Sequence, residues 1–376
     1  MSGSENCHDF VEWLGADMSI EVFLQLDDPS DLARVCSVSS SWRQFVIANA
    51  LFKQLCLKMF PEMSSVTRVI EVDDIIQPLD VRQSDCIEWE FCKRNHSVYA
   101  LLAQGLSPFL EKGCISGAIS ASSTDNYPEE SIRNTLVPSD RVASVASYWS
   151  SKGQSDPAVP ETLVYRLIAN LCLVTEIHVQ PFQAFFQNGC PIYSSKTVRF
   201  RLGHPRSPLP LENDATLSYA NRHGLLDDKF AWTYISPEYP MAQENCLQKF
   251  KLPEPVLCIG GILQVELLGR VQKQEMDGLY YICISHVQVV GRPLSQPFDV
   301  EILCPTGKCK LKYSPENECC TSDGSPKVQK GMSSRWHTLT VRLMERGVRG
   351  WENMILGTLL GIAAVEEDDE SDDELL

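Results

Sequence analysis

Leu14-Gly15-Ala16-Asp17-Met18-Ser19-Ile20-Glu21-Val22-Phe23-Leu24-Gln25-Leu26-Asp27-Asp28-Pro29-Ser30-Asp31-Leu32 is the stretch that decides the fold of the N-terminal part. Ser19 reads as the cap of a first helix, with Ile20, Phe23 and Leu24 at helical spacing and Leu26 closing it. Asp28 is a good N-cap for a second helix. Pro29 stands at its first position, where a missing N–H costs nothing, and Asp31 lies in the first turn, where the helix dipole favours an anion. Leu32, Val35 and Cys36 form that helix's apolar stripe. Downstream, Trp42, Phe45 and Val46 and then Phe52, Leu55 and Cys56 repeat the pattern, so residues 9–60 are expected to form a module of short packed helices. Short amphipathic helices are marginal alone, and a unit of this size barely buries enough surface to be stable without a partner.

These residues also resemble the F-box, in order. Leu14 falls where the F-box opens, Met18, Ile20, Val22 and Phe23 fill its first helix, and Leu26 with Pro29, Asp31 and Leu32 is similar to its Leu-Asp-Pro-x-Asp-Leu junction. Val38-Ser39 followed by Trp42-Arg43 is similar to its Val-Ser-x-x-Trp-Arg core. Gly15 stands where the family has Pro, and there is one extra residue between Leu26 and Asp31. The resemblance implies binding to a SKP-family adaptor, and through it to a cullin, by Leu14, Ile20, Val22, Leu26, Pro29, Leu32, Val35 and Trp42. A helix stripe serves packing before binding, so some of these are core, and Trp42 is balanced between core anchor and contact.

Residues 61–112 read as a helical connector, with one helix from about Cys86 to Leu106 carrying Trp89, Cys92, His96 and Tyr99 at helical spacing. Beyond it the period changes to two. Val198, Phe200 and Leu202 alternate with polar neighbours, and Leu339, Val341 and Leu343 do the same, as strands with one buried face should. Met276-Asp277-Gly278 sits between the strand-like runs Leu263–Val271 and Leu279–Val290 as a hairpin turn. The expected class is therefore α+β, with a β-sandwich over residues 113–365 following the helical module.

A second resemblance lies in this part. Ile119-Ser120-Ala121-Ser122-Ser123, Tyr148-Trp149-Ser150-Ser151, Ile177-His178-Val179-Gln180-Pro181 and Leu263-Gln264-Val265-Glu266-Leu267-Leu268-Gly269 are similar, in order, to the signposts of discoidin or galactose-binding-like jelly rolls. Their spacing is stretched by an insertion near residues 203–255, and no flanking disulfide is evident. Together with the F-box this resembles a plant F-box group and covers most of the chain. In that fold ligands meet loops at one end of the sandwich, since the sheets fix the loop bases while the tips vary. By this analogy the target contacts are Tyr193, in the loop from Gln187 to Ser194, and Tyr219, Arg222, His223, Trp232, Tyr234 and Tyr239 in the insertion. The structural reading of the same aromatics is that they pin a long loop to the sandwich.

The composition excludes several other classes. A net charge of -16 over 376 residues argues against non-specific nucleic-acid binding, which needs a basic face. Much of the acid lies in residues 366–376, read as a disordered tail in which Ser371 stands in an acidophilic kinase context. The start of the chain lacks the basic and apolar regions of an export signal, and the run from Met354 to Val365 falls short of the roughly 20 residues a spanning helix needs. Cytoplasm or nucleus is the expected location, without membrane attachment. The 15 cysteines are odd in number and scattered, so free thiols are expected. Cys304, Cys309, Cys319, Cys320 and His337 cluster loosely but match no common zinc spacing, so neither metal nor cofactor is expected. No nucleophile elbow or phosphate-cradling glycine loop is present. The expected role is a non-catalytic substrate-recognition subunit of an SCF-type ubiquitin ligase. The alternatives are an intracellular lectin-like binder of glycans or glycoproteins, or a scaffold without a ubiquitin role.

Overall fold

The first helices begin where a side chain satisfies the free backbone N–H groups of a helix start. In the computed structural model, which describes residues 9–73, 75–77, 87–138, 146–207, 229–296, 298–303 and 307–313, Asp9 accepts from the Val11 N–H at 3.0 Å and opens α1 (Phe10–Leu14). Gly15 then adopts φ 76° and ψ 171°, a region almost reserved for glycine, and α2 (Ala16–Leu24) starts directly after it. This explains why glycine stands where the F-box pattern has proline. Ser19, expected as the cap of this helix, is instead buried inside it and donates to the Val11 carbonyl at 3.3 Å. The break at Gly15, and not the serine, sets the start of the helix.

Asp28 caps α3 (Pro29–Val38) by accepting from the Ser30 N–H at 2.8 Å, and Pro29 leads the helix as its sequence predicts. Ser39 caps α4 (Ser40–Ala48) through the Trp42 N–H, and α5 (Leu51–Met59) follows. A 3-10 turn at Pro61–Val66, α6 (Thr67–Glu71) and a short strand β1 (Ile76–Gln77) lead to the long α7 (Ile87–Gly105), close to the expected Cys86–Leu106. Among the described residues no helix is long and apolar enough to cross a membrane.

The chain then builds two antiparallel sheets. In order along the sequence the strands are β2 (Ile115–Ala121), β3 (Trp149–Ser150), β4 (Glu161–Leu167), β5 (Leu171–Gln183), β6 (Ile192–Tyr193) and β7 (Ser195–Pro205). They continue with β8 (Phe230–Ile235), β9 (Tyr239–Pro240), β10 (Gln248–Ile259), β11 (Ile262–Arg270) and β12 (Cys283–Pro293). The order β2-β4-β11-β7-β8, with β9 beside β7, makes a six-stranded sheet; β10-β5-β12-β3, with β6 beside β5, makes a five-stranded one. Their facing sides bury Leu163, Tyr165, Phe200 and Val265 against Val174, Ile177, Val179 and Val289 in one core. Val198, Phe200 and Leu202 point inward and Thr197, Arg199 and Arg201 outward, as their alternation predicts. The fold is thus α+β, helices followed by a sandwich.

Two features differ from the expected layout. The Asp277-Gly278 turn forms, with Gly278 at φ 74°, and closes a short antiparallel pairing in which Lys273 lies opposite Tyr280 and the Gln274 N–H donates to the Leu279 carbonyl at 2.8 Å, but the long strands on either side do not pair with each other. Its flanking strands, β11 and β12, lie in opposite sheets, so the segment carries the chain across the sandwich. Residues 203–255, expected as an insertion, hold β8 and β9 paired with β7, and β10 paired with β5. The aromatic and β-branched run Phe230-Ala231-Trp232-Thr233-Tyr234-Ile235 is strand-forming chemistry, which accounts for β8. Residues 208–228, the expected strand around Val341, the run Met354–Val365 and Ser371 lie outside the described residues. So do Cys304, Cys319, Cys320 and His337, while Cys309 is a buried thiol at the start of β14 (Cys309–Tyr313).

β14 pairs with β13 (Phe298–Ile302) and, in parallel, with β1, which ties the connector to a strand far away in sequence. This small sheet completes a core shared by the helices and one end of the sandwich. Phe52, Leu55 and Cys56 of α5, Tyr99 and Leu102 of α7, Leu171 and Leu173 of β5, and Leu257 and Ile259 of β10 all belong to it. Arg292 reinforces the seam: its guanidinium pairs with Glu62 at 3.1 Å, donates to the Ser107 and Pro108 carbonyls, and lies 5.1 Å from the centre of the Phe60 ring.

Candidate functional site

The helical module packs around an aromatic knot. Trp42 meets Phe10 edge-on at 4.9 Å and Phe23 at 5.4 Å, and Phe45 completes the group at 5.9 Å from Phe23. The Trp42 indole N–H donates to the Asp9 carboxylate at 2.7 Å, so this side chain closes the module from within. With the inner face filled, apolar side chains remain on the outer face. Trp13 is 78% exposed, Met18 56%, Val22 43% and Val38 61%. Met18 and Val22 lie one turn apart on the same side of α2. A shallow groove of ≈ 650 Å³ between α1, α4 and α7 is lined by Val11, Gln44, Phe45, Ala48 and Trp89.

A second concentration of chemistry lies at the end of the sandwich away from the helices, where β5 finishes and β12 begins. Its base is an ion pair between Arg270 and Glu161, both with 0% side-chain exposure. Arg270 also donates to the Ser151 hydroxyl and the Lys152 carbonyl at 2.9 Å, to the Tyr280 carbonyl at 3.0 Å and to the Val159 carbonyl at 3.1 Å. Glu161 accepts from the Ser122 and Ser123 hydroxyls. A buried ion pair is tolerated only when its remaining hydrogen-bonding capacity is filled, and here the fillers come from three loops, which are thereby fixed.

Above this base sits an aromatic cluster. Tyr148 stacks on Phe182 with centroids 3.8 Å apart, Phe186 lies 6.3 Å from Phe182, and Tyr193 meets Tyr281 edge-on at 6.3 Å. Each tyrosine hydroxyl is committed locally: Tyr148 donates to Glu130 at 2.8 Å, Tyr281 to Asp277 at 2.6 Å and Tyr193 to Gln187 at 2.5 Å. Burial, followed by the carboxylate each one bonds, pushes the Tyr148 and Tyr281 phenols far above their usual range. The Asp125 carboxyl is raised by burial and then by the neighbouring charge of Asp277. Phe185 is 48% exposed, Phe186 70% and Met276 92%.

Residues 16–58 match the family described as F-box-like. The chain is also 50% identical over 313 residues to the F-box protein At4g00755 of Arabidopsis thaliana, covering 82% of this chain and 83% of the relative. The chain belongs to the F-box protein family. Solved structures similar to it include the family 32 carbohydrate-binding module of C. perfringens NanJ in complex with galactose. That likeness has 11% identity and a TM-score of 0.30, and covers 48% of this chain and 99% of that one. The Streptococcus pneumoniae beta-galactosidase BgaA is similar at 14% identity and a TM-score of 0.33, over 48% of this chain and 98% of that one.

The F-box protein places its sequence-predicted residues unevenly. Of the adaptor set, Val22 is exposed, Leu14, Ile20, Leu26, Val35 and Trp42 are half-buried, and Pro29 and Leu32 are buried, Leu32 to 1% exposure. Leu32 is a member of the core and has no surface to offer a partner. Trp13 was not singled out, although its apolar neighbours Val11 and Leu14 flank it at spacings that leave it on the opposite side of α1.

The described members of the target set fall in three separate places. Tyr193 is 4% exposed within the aromatic cluster at the far end. Trp232 packs with Phe230, Val164 and Ile262, whereas Tyr234 and Tyr239 pack against the main core beside β8 and β9. Tyr219, Arg222 and His223 lie outside the described residues. Glu161, Arg270, Tyr148 and Tyr281 were missed as members of one site because no local pattern links them.

Proposed function

We propose that this F-box protein is the substrate-recognition subunit of an SCF-type cullin ubiquitin ligase, with its helical module bound to a SKP-family adaptor and its sandwich holding the target. The observation that carries this reading is the pair Met18 and Val22, exposed one turn apart on α2, with Trp13 and Val38 exposed on the neighbouring helices, in a module whose inner face is already filled. Apolar side chains grouped outside a completed core mark an interaction surface. The contribution to ubiquitin transfer is proximity: a bound target presents its lysines to a charged conjugating enzyme at a raised effective concentration, and the chain supplies no reacting group. Cytoplasm and nucleus are where such a ligase finds its adaptor.

The test is a pull-down of a SKP-family adaptor by the full chain and by a Val22→Asp, Val38→Asp variant. Wild-type binding that the variant loses, with an unchanged melting temperature, is the expected result. No binding by the wild type, or equal binding by the variant, refutes the proposal.

A further inference from the structure

Resting on that reading, we propose that the loop end of the sandwich built on Arg270 and Glu161 docks a basic segment of a protein target, with a Lys or Arg side chain over the rings of Tyr148 and Tyr281 and apolar neighbours against Phe185 and Phe186. What this end offers outward is ring faces and acceptors. The hydroxyls of Tyr148, Tyr193 and Tyr281 are all donated within the chain, to Glu130, Gln187 and Asp277. A ligand that must receive hydrogen bonds finds few donors here, whereas a cation finds both quadrupolar ring faces and carboxylates.

The acids come from two loops. Asp125, Glu129 and Glu130 lie between β2 and the 3-10 turn at Ile132–Leu136, and Glu275 and Asp277 lie between β11 and β12. The Asp125 carboxyl is raised first by burial and then by the neighbouring charge of Asp277. Among the described residues, the cations near these acids include Arg133, on the 3-10 turn, Lys152, beside Asp125, and Lys273, whose ammonium sits 5.9 Å over the Tyr280 ring. The Lys273 contact is the proposed one made once within the chain. Arg270 is spent on Glu161 and the loop carbonyls.

The apolar half of the surface is Phe185, Phe186 and Met276, the last 92% exposed. Large aromatics beside a desolvated charge are the usual anchors of a protein interface, and methionine adapts to varied partners. The fixed loop bases below them mean that the surface is formed before the partner arrives, which limits the ordering cost of binding.

The experiment follows fluorescence anisotropy of a short labelled peptide alternating Lys, Arg and Leu, and of its Glu-and-Leu counterpart, with the full chain. Saturable binding of the basic peptide that weakens with salt is expected. Asp125→Asn with Asp277→Asn should weaken it about tenfold or more, and Phe186→Ala should also weaken it. Asp73→Asn with Glu254→Gln, which removes the same charge from exposed positions away from this end, should leave it unchanged. Equal binding of both peptides, wild-type affinity in the Asp125→Asn, Asp277→Asn variant, or an equal loss in the control variant overturns the proposal. So does a glycan that binds this end in a Phe186-dependent way while the basic peptide does not bind. The adaptor pull-down on the same variants separates the two readings: retained adaptor binding with lost peptide binding leaves the ligase role in place, and the reverse result removes only that role.

Discussion

Replacing Arg270 with methionine tests the construction of the loop end most directly. The guanidinium is completely enclosed, as is its partner Glu161. In Arg270→Met the Glu161 carboxylate keeps only the Ser122 and Ser123 hydroxyls. The Val159 carbonyl loses the guanidinium as donor, while the Ser151 hydroxyl keeps the Ile282 N–H, the Lys152 carbonyl the Ser151 hydroxyl and the Tyr280 carbonyl the Gln154 N–H. Removing one member of a buried pair costs about 3–5 kcal/mol, because the remaining charge is stranded. With a urea dependence of about 2–3 kcal/mol/M, this lowers the unfolding midpoint by roughly 1–2.5 M. Urea denaturation of the full chain followed by tryptophan fluorescence is a suitable assay, because Trp149 is buried and its indole N–H donates to the Ser123 carbonyl beside this network. Adding Glu161→Gln removes the stranded charge, so the double variant should recover part of the loss. A midpoint unchanged in Arg270→Met, or a double variant less stable than the single one, would refute the reasoning.

Three further outcomes are expected. Leu32→Ala opens the core of the helical module and should cost about 2–5 kcal/mol, read as a fall in melting temperature, whereas Val22→Ala should change it little. Gly15→Ala meets no atom within 4 Å, so its whole cost is the backbone at φ 76°; about 1–3 kcal/mol of stability should be lost, measured by denaturant titration. His96, packed edge-on to Phe52, has its pKa lowered to about 4 by burial and then by Arg43. Its folded pKa lies below the unfolded value of about 6.5, so the unfolded chain takes up the proton first and stability falls as pH drops through this window, by up to about 2 kcal/mol at pH 5. His96→Gln should remove that part of the pH dependence, as seen by comparing midpoints at pH 7 and pH 5.

Much of the helical module could be read from sequence because its determinants are local. Asp28, Pro29 and Ser39 act within one turn of themselves, and the structure places each in its expected role or at a helix start. Ser19 misled because serine is good capping chemistry wherever it stands, while the backbone of Gly15, four residues earlier, fixed the helix start. On the sandwich, Val198, Phe200 and Leu202 announced a strand through alternation alone. Asp277-Gly278 announced a turn, but nothing local tells a turn within a sheet from one between sheets. The loop end was least legible. Glu161 and Arg270 are 109 residues apart, and their pairing exists only once β4 and β11 lie side by side. Trp232 and Tyr193 look equally suited to a binding loop in sequence, yet one is a strand residue on an outer sheet face and the other closes the aromatic cluster.

The core that runs from α5 and α7 into β5 and β10 has a mechanical consequence. A hinge between the helices and the sandwich would have to tear Leu171, Leu173, Leu257 and Ile259 away from Phe52 and Tyr99 and break the clasp of Arg292 on Glu62 and Phe60. β5, 13 residues long, begins in that core and ends at the loop tips, a span of about 40 Å at ~3.3 Å per residue. In the proposed ligase it acts as a stiff spacer bolted to its mount, so the reach of the assembly is set by strand length and not by a tether. Which lysine of a captured target receives ubiquitin then depends on the target's own geometry: those at the right offset are served, and others on the same surface are not.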